Sequence, residues 1–288
     1  MRKIGTFTEP SSGEGPHLRL ALLQLNTPTN DLDANIAAAA AAIDQAAATG
    51  ADLIVLPEFF NLSYFAQVWD TTLFTLAESQ HGPTMSMVRA RAKQYGVHIC
   101  ATIYERRDAG TYFDTAFMID PCGKTMGTYE KVHPAAVKSL EKVYFRPGSH
   151  FPVWDVNGVK VSAIICYDHY FPEAARSAML NGAELLLGPF AAPKSTTGYW
   201  REMMTIRAFE NGLYMAPCNK VGREGEWDFR GASMVVDPTG QILASADEEN
   251  ECMVLADVKP QRVIDARSQY PMVRDRVPHA YEAITRPY

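Results

Sequence analysis

The chain echoes itself at long range. Gly50-Ala51-Asp52-Leu53-Ile54-Val55-Leu56-Pro57 returns 132 positions later as Gly182-Ala183-Glu184-Leu185-Leu186-Leu187-Gly188-Pro189. Gly96-Val97-His98-Ile99, behind a helix expected over 84–95, is answered by Gly212-Leu213-Tyr214-Met215 behind one expected over 199–211. A third pair sets Asp120-Pro121-Cys122-Gly123 against Asp237-Pro238-Thr239-Gly240, each a D-P-x-G hairpin turn after an apolar run. The first half opens with Leu18 to Leu25 and the second with Lys160 to Cys166, continuous apolar runs suited to strands buried on both faces. Between Leu25 and Leu53 lies an alanine-rich helix over 34–48, which Asp31 or Asp33 can cap and Gly50 stops. Each half thus reads strand, helix, strand, helix, strand, strand, strand.

Two such halves predict an α/β protein. If the helices of each half cover one face of its sheet, the bare faces pack together, giving a four-layer αββα sandwich of two pseudo-symmetric halves. Two independent Rossmann-like domains are the alternative, but no Pro/Gly/Ser-rich linker separates the halves. The boundaries expected are a flexible arm over 1–17, one body over 18–260 and a tail over 261–288.

Composition limits the partners. A chain of 288 residues with 47% hydrophobic and 21% charged residues can bury a large core, and its net charge of −6 disfavours nucleic acid and anionic membranes. The five cysteines are widely spaced, with no C-x-x-C pair. The first 16 residues lack the apolar run of a signal peptide, and no segment approaches about 18 uninterrupted apolar residues. A cytoplasmic protein without disulfides is expected.

Several short motifs fail on inspection. Gly123-Lys124-Thr125 has the tail of a phosphate loop, but Met118 stands where the leading glycine belongs. Ser139 to Lys142 fits S-x-x-K without its partner motifs, and the seven histidines never adopt a tight metal spacing. Neither a metal nor a cofactor is expected.

What remains are polar residues where apolar strands end: Glu58, Lys131 and Cys166. Cys166 precedes Pro172, which suits the first turn of a helix, so the thiol is expected at a sharp turn near helix-terminal amides that favour a thiolate. Lowering a thiol pKa by two units takes about 2.7 kcal/mol, which a nearby ammonium can supply. A glutamate would move the proton, and the ammonium would stabilise an oxyanion.

L-P-E-F-F at 56–60, Y-E-K-V-H at 129–133 and I-I-C-Y-D-H-Y-F-P-E at 164–173 resemble the three signature segments of the nitrilase superfamily, the carbon–nitrogen hydrolases. E-K-V-Y-F-R-P-G at 141–148, R-A-x-E-N at 207–211, N-K-V-G at 219–222 and Y-P-x-x-R-D-R at 270–276 extend the resemblance to the tail. It implies an αββα sandwich over 18–260 and a cofactor-free Glu-Lys-Cys triad. Cys166 would be the nucleophile and Glu58 the general base. Lys131, with the Tyr167 N–H, would hold the oxyanion, and Glu141 would position the substrate and Lys131. The departure is Val132-His133-Pro134-Ala135-Ala136, which differs from the usual continuation after the lysine.

The resemblance also implies a small-molecule substrate: a linear amide or N-carbamoyl amine, cleaved with release of ammonia through a cysteine thioester. Segments 141–148 and 166–173 look most like the N-carbamoylputrescine and other N-carbamoyl amidohydrolase branches. N-carbamoyl amino acid or β-ureidopropionate hydrolysis, aliphatic nitrile hydrolysis and a catalytically silent binding protein are the alternatives. Relatives acting on N-carbamoyl-D-amino acids tend to carry two arginines where this chain has His169 and Tyr170, so a neutral or cationic substrate is favoured over an α-carboxylate. Tyr64, Tyr167, His169, Phe190 and Trp200 are expected to bind it. Phe59, Phe60, Phe65, Trp69, Tyr144 and Phe171 are further wall candidates, about half of the aromatic set being expected in the core. A homodimer or larger homo-oligomer is expected, with the tail at the interface.

Overall fold

A computed structural model describes residues 1–8, 15–196 and 198–287. Its elements are β1 (Arg2–Ile4), β2 (Leu18–Gln24), α1 (Leu32–Ala47), β3 (Leu53–Val55), α2 (Pro83–Tyr95), β4 (His98–Asp108), β5 (Thr111–Ile119), β6 (Thr125–Glu130), α3 (Glu141–Tyr144) and β7 (Trp154–Val156). There follow β8 (Val159–Ala163), α4 (Pro172–Leu180), β9 (Leu185–Phe190), α5 (Trp200–Asn211), β10 (Tyr214–Asn219), β11 (Val221–Glu224), β12 (Trp227–Arg230), β13 (Met234–Val236), β14 (Ile242–Ser245), β15 (Cys252–Val258) and α6 (Pro260–Gln269).

The local signals behave as their chemistry requires. Asp31 caps α1 by accepting the Ala34 N–H, Pro83 and Pro172 open their helices, and Gly96 and Gly212 close α2 and α5 in the left-handed conformation. Both D-P-x-G segments are hairpin turns, with Asp120 and Asp237 accepting local main-chain N–H groups.

The two halves build matching sheets. One runs β1-β15-β2-β3-β4-β5-β6 and the other β14-β13-β10-β9-β8-β7. In each, three parallel strands, β2-β3-β4 or β8-β9-β10, are followed by two antiparallel ones, β5-β6 or β13-β14. Each half then passes its next strand to the other sheet: β7 pairs antiparallel with β8, and β15 pairs antiparallel with β2. The repeat is broken by the hairpin β11–β12, inserted between β10 and β13.

Strand alternation divides the core. Leu20 and Leu22 pack in one cluster with Val161, Leu187 and Ala216 of the other sheet, whereas Ala21 and Leu23 pack with Ala39 and Ile43 of α1. The Cys218 thiol meets the carbonyls of Leu23 and Val55 across the sheets at 3.3 Å. Helices α4 and α5 contribute Ala174, Ala178, Met204 and Ala208 to the cluster of the second sheet.

Two expectations need correction. The first residues are not a loose arm: Arg2–Ile4 pairs in parallel with Cys252–Val254 because β15 leaves that edge open, while residues 9–14 lie outside the described residues. Strand β8 does not run to Cys166. Its pairing ends at Ala163, and the Ile165 N–H turns to the Asp168 carboxylate.

Candidate active site

Four loops bring the sequence-predicted polar residues together. Glu58 follows β3 and Lys131 follows β6, while Glu141 opens α3. Cys166 begins the turn Cys166–Tyr170 with φ of +41°, a conformation uncommon for a side-chain-bearing residue and typical of functional turns.

The Lys131 ammonium is the centre of this arrangement. Nζ lies 2.7 Å from Glu58 Oε1, 2.7 Å from Glu141 Oε2 and 3.3 Å from Asp114 Oδ2, and all four side chains are buried. Carboxylate oxygens of Glu58, Asp114 and Glu141 fall within 4.8 Å of one another, a donor set whose cation is the chain's own lysine. Burial disfavours the charge on Lys131, but Glu141, Glu58 and Asp114 outweigh it and hold the ammonium protonated well above the ordinary lysine range. One positive charge cannot neutralise three carboxylates in a dry site. Burial, then the charge of Glu58, pushes the Asp114 carboxyl well above its usual range, and burial also raises Glu141 against the pull of Lys131. Glu58 Oε2 is buried and, among the described residues, has no hydrogen-bond partner.

The thiol departs from expectation. Burial, reinforced by the negative charge of Glu58, raises Cys166 well above the ordinary thiol range against the opposing pull of Lys131 and the Ala191 N–H. Helix α4 begins only at Pro172, so its amides do not dominate the sulfur. Cys166 rests as a neutral thiol.

Glu141 is held from several sides. Tyr64 donates its hydroxyl proton to Oε1 at 2.6 Å, and the Ala135 N–H meets Oε2 at 2.7 Å. The unusual segment after Lys131 thus supplies a ligand for Glu141. Asp168 ties the cysteine turn to the lysine loop by accepting from Tyr129 Oη at 2.6 Å, Ile165 N at 2.9 Å and His133 Nδ1 at 2.7 Å.

A cavity of about 430 Å³ opens over Cys166 and Glu141. Of the residues expected to bind substrate, Tyr64, Tyr167 and His169 line it, and Phe190 and Trp200 do not. Those two rings lie behind His169, with centroids 5.3 and 5.8 Å from its ring, and the Trp200 N–H is taken by the Ala232 carbonyl. Of the other aromatic candidates only Phe171 joins the wall. Phe59, Phe65 and Tyr144 pack together in the core, Phe60 lies beneath α1, and Trp69 is solvent-exposed.

Sequence reasoning missed Asp114 and Trp227. Trp227 stacks on Tyr64 at 4.5 Å and lines the cavity from β12. Its signal was available: it sits in the segment between the matched strands that has no counterpart in the first half.

Comparison with known proteins identifies the family. The carbon-nitrogen hydrolase family pattern matches residues 19–268. Citrullinase from Francisella tularensis is 32% identical over 286 residues, covering 94% of this chain and 99% of that protein. N-carbamoylputrescine amidase from Arabidopsis thaliana is 31% identical over 274 residues, covering 89% of this chain and 91% of that protein. A mutant amidase from Nesterenkonia sp. AN1, solved with the acetamide moiety of fluoroacetamide covalently added at its active-site cysteine, superimposes with a TM-score of 0.82 at 27% identity, covering 96% and 99% of the two chains. This chain is a carbon-nitrogen hydrolase, a member of the nitrilase superfamily.

Proposed function

We propose that the chain hydrolyses a small linear amide or N-carbamoyl amine, releasing ammonia through a thioester on Cys166, from a four-layer αββα body spanning 18–260. The observation that carries this is a buried cysteine in a sharp turn, close enough to Glu58 and Lys131 to feel both charges, with one Glu58 oxygen held 2.7 Å from Lys131 Nζ. Glu58 takes the thiol proton as Sγ attacks the carbonyl carbon, and the oxygen becomes an oxyanion facing Lys131 Nζ and the Tyr167 N–H. The C–N bond then breaks as Glu58 returns the proton to the departing nitrogen, which leaves as ammonia. Water, deprotonated by Glu58, attacks the thioester, and the proton returns to the sulfur as the acid leaves. With an N-carbamoyl amine that acid is a carbamic acid, which falls apart to the amine and carbon dioxide.

The cavity favours a substrate whose far end is neutral or cationic. Among the described residues that line it there is no lysine or arginine, and Tyr64, Trp227, Tyr167, Tyr170 and Phe171 present aromatic surface. The covalent adduct in the Nesterenkonia amidase supports a nucleophilic cysteine. We assign the tail, with exposed Val277, Tyr281 and Ile284, to a homo-oligomer interface. Ammonia release from a panel of amides, N-carbamoyl amines and nitriles tests the assignment. Cys166→Ala should abolish release with unchanged far-UV circular dichroism; undiminished release would refute it, and release from nitriles alone would overturn the substrate class.

A further inference from the structure

The reaction proposed above needs two donors on one oxyanion, and they come from different sheets: Lys131 follows β6 of one, and Tyr167 lies in the turn after β8 of the other. One buried carboxylate joins their loops. Asp168 Oδ2 accepts the Tyr129 hydroxyl at 2.6 Å and the Ile165 N–H at 2.9 Å, while Oδ1 accepts the His133 N–H at 3.0 Å and meets His133 Nδ1 at 2.7 Å. Tyr129 and His133 stand on either side of Lys131 in the chain, and Ile165 and Asp168 on either side of Cys166 and Tyr167. Tyr129 Oη also accepts the Val132 N–H at 3.3 Å, on the peptide directly after Lys131. Asp168 and Tyr129 are wholly buried, and burial, then the charge of Asp168, raises the Tyr129 phenol well above its ordinary range, so the hydroxyl donates. The His133 ring is fixed in turn by stacking on Phe171 at 3.8 Å.

We propose that Asp168 is a positioning residue for the reaction: through Tyr129 and His133 it holds the Lys131 ammonium and the Tyr167 N–H at the separation that a single oxyanion spans. This rests on the hydrolase reading above and deepens it. The contacts of Lys131 itself do not supply that separation. Its three carboxylates, Glu58, Asp114 and Glu141, all belong to the first half of the chain, and none lies on the cysteine turn. They fix the ammonium within its own sheet's loops, whereas Asp168 ties those loops to Cys166. A carboxylate suits the task because both of its oxygens accept; an amide in its place turns an NH₂ toward donors on one side. Donors aimed at a developing charge act only where they are held, and a misplacement of about 1 Å can cost about a hundredfold in rate.

The test compares two reactions of Cys166. Hydrolysis passes through the oxyanion, whereas alkylation by iodoacetamide does not: Sγ displaces iodide from a saturated carbon, and the thiol proton leaves to solvent. Tyr129→Phe deletes one oxygen of the clamp, and Asp168→Asn replaces one acceptor by a donor. For the amide or N-carbamoyl amine that wild type hydrolyses best, kcat should fall about tenfold in Tyr129→Phe and about a hundredfold in Asp168→Asn. Alkylation, followed by the mass of the Cys166 peptide, should stay within about threefold of wild type in both variants, since no oxyanion forms. A kcat unchanged within about twofold in Tyr129→Phe and Asp168→Asn would overturn the proposal. So would equal falls in hydrolysis and alkylation, which would show that the thiol itself is disturbed. If Asp168→Asn does not fold, Tyr129→Phe decides alone. Wild type that releases ammonia from none of the panel refutes the hydrolase reading instead, and this role with it.

Discussion

At the scale of single residues, the site is an imbalance of charge that protons correct. Lys131 meets Glu58, Glu141 and Asp114, and burial together with the charge of Glu58 pushes Asp114 toward its neutral form. Its folded pKa lies above its unfolded value, so its stabilising contribution is full below about pH 4 and is lost as pH rises toward the folded value. Asp114→Asn keeps the shape and removes the titration. The stability of wild type relative to Asp114→Asn should therefore decline as pH rises above about 4, by up to about 1.4 kcal/mol per pH unit in urea titrations. A difference independent of pH would show Asp114 to be ionised. Glu58, Lys131 and Cys166 were readable because they stand in recognisable segments after apolar strands, and Glu141 because its segment extends the family resemblance. Asp114 was not, because a lone aspartate inside a strand has no local signature and its partners come from other loops. The resting state of Cys166 was misread for a related reason: a sequence shows that an ammonium is available but not how dry the sulfur is.

At the scale of elements, the loop after β3 is the part under greatest demand. It turns at Phe59 with φ of +49°, carries Glu58 at its start and delivers Tyr64 to Glu141. Its support comes from the other half of the chain. Lys220 Nζ donates to the carbonyl of Leu62 at 2.8 Å and pairs with Glu224 at 2.7 Å, while Glu224 Oε2 accepts the Tyr64 N–H. Both side chains are wholly buried; burial lowers the Lys220 pKa and raises that of Glu224, each against the pull of its partner. Removing one charge leaves the other unpaired, so Glu224→Leu should cost about 3–5 kcal/mol in urea unfolding, and the double variant Lys220→Met, Glu224→Leu should recover much of that loss. A single variant as stable as wild type would mean the pair does not brace the loop. The N-K-V-G segment containing Lys220 was visible in the sequence, but its purpose was not, since Lys220 and Phe59 are far apart in the chain. Helices and turns were readable because caps, Pro and Gly act locally. The β11–β12 hairpin that carries Glu224 and Trp227 was not, because it interrupts the repeat from which the other strands were inferred.

At the scale of the whole molecule, the duplication in sequence became an exchange in structure. Each half's sheet takes its outer antiparallel strand from the other half: β7 covers β8 over three residue pairs, and β15 covers β2 over seven. The chain's lack of a Pro/Gly/Ser-rich linker fits one body but does not reveal this, since strand exchange leaves no mark in local sequence. The consequence is energetic. Unfolding the second half would strip β15 from β2 and expose Leu20 and Leu22, which share a core cluster with Val161 and Leu187 of the other sheet. Neither half keeps its core when the other is lost, so the chain should unfold as one cooperative unit. In urea, hydrolytic activity, near-UV circular dichroism of the tryptophans and far-UV circular dichroism should then fall along one curve with a single midpoint. Resolved transitions, with secondary structure surviving after activity is gone, would show instead that the halves hold their own cores and that the exchanged strands contribute little. The site requires the cooperative outcome, because Glu58 and Lys131 stand on one sheet and Cys166 on the other. A protein whose halves separated readily would lose the 2.7 Å contacts at Lys131 from their place beside the thiol each time they did.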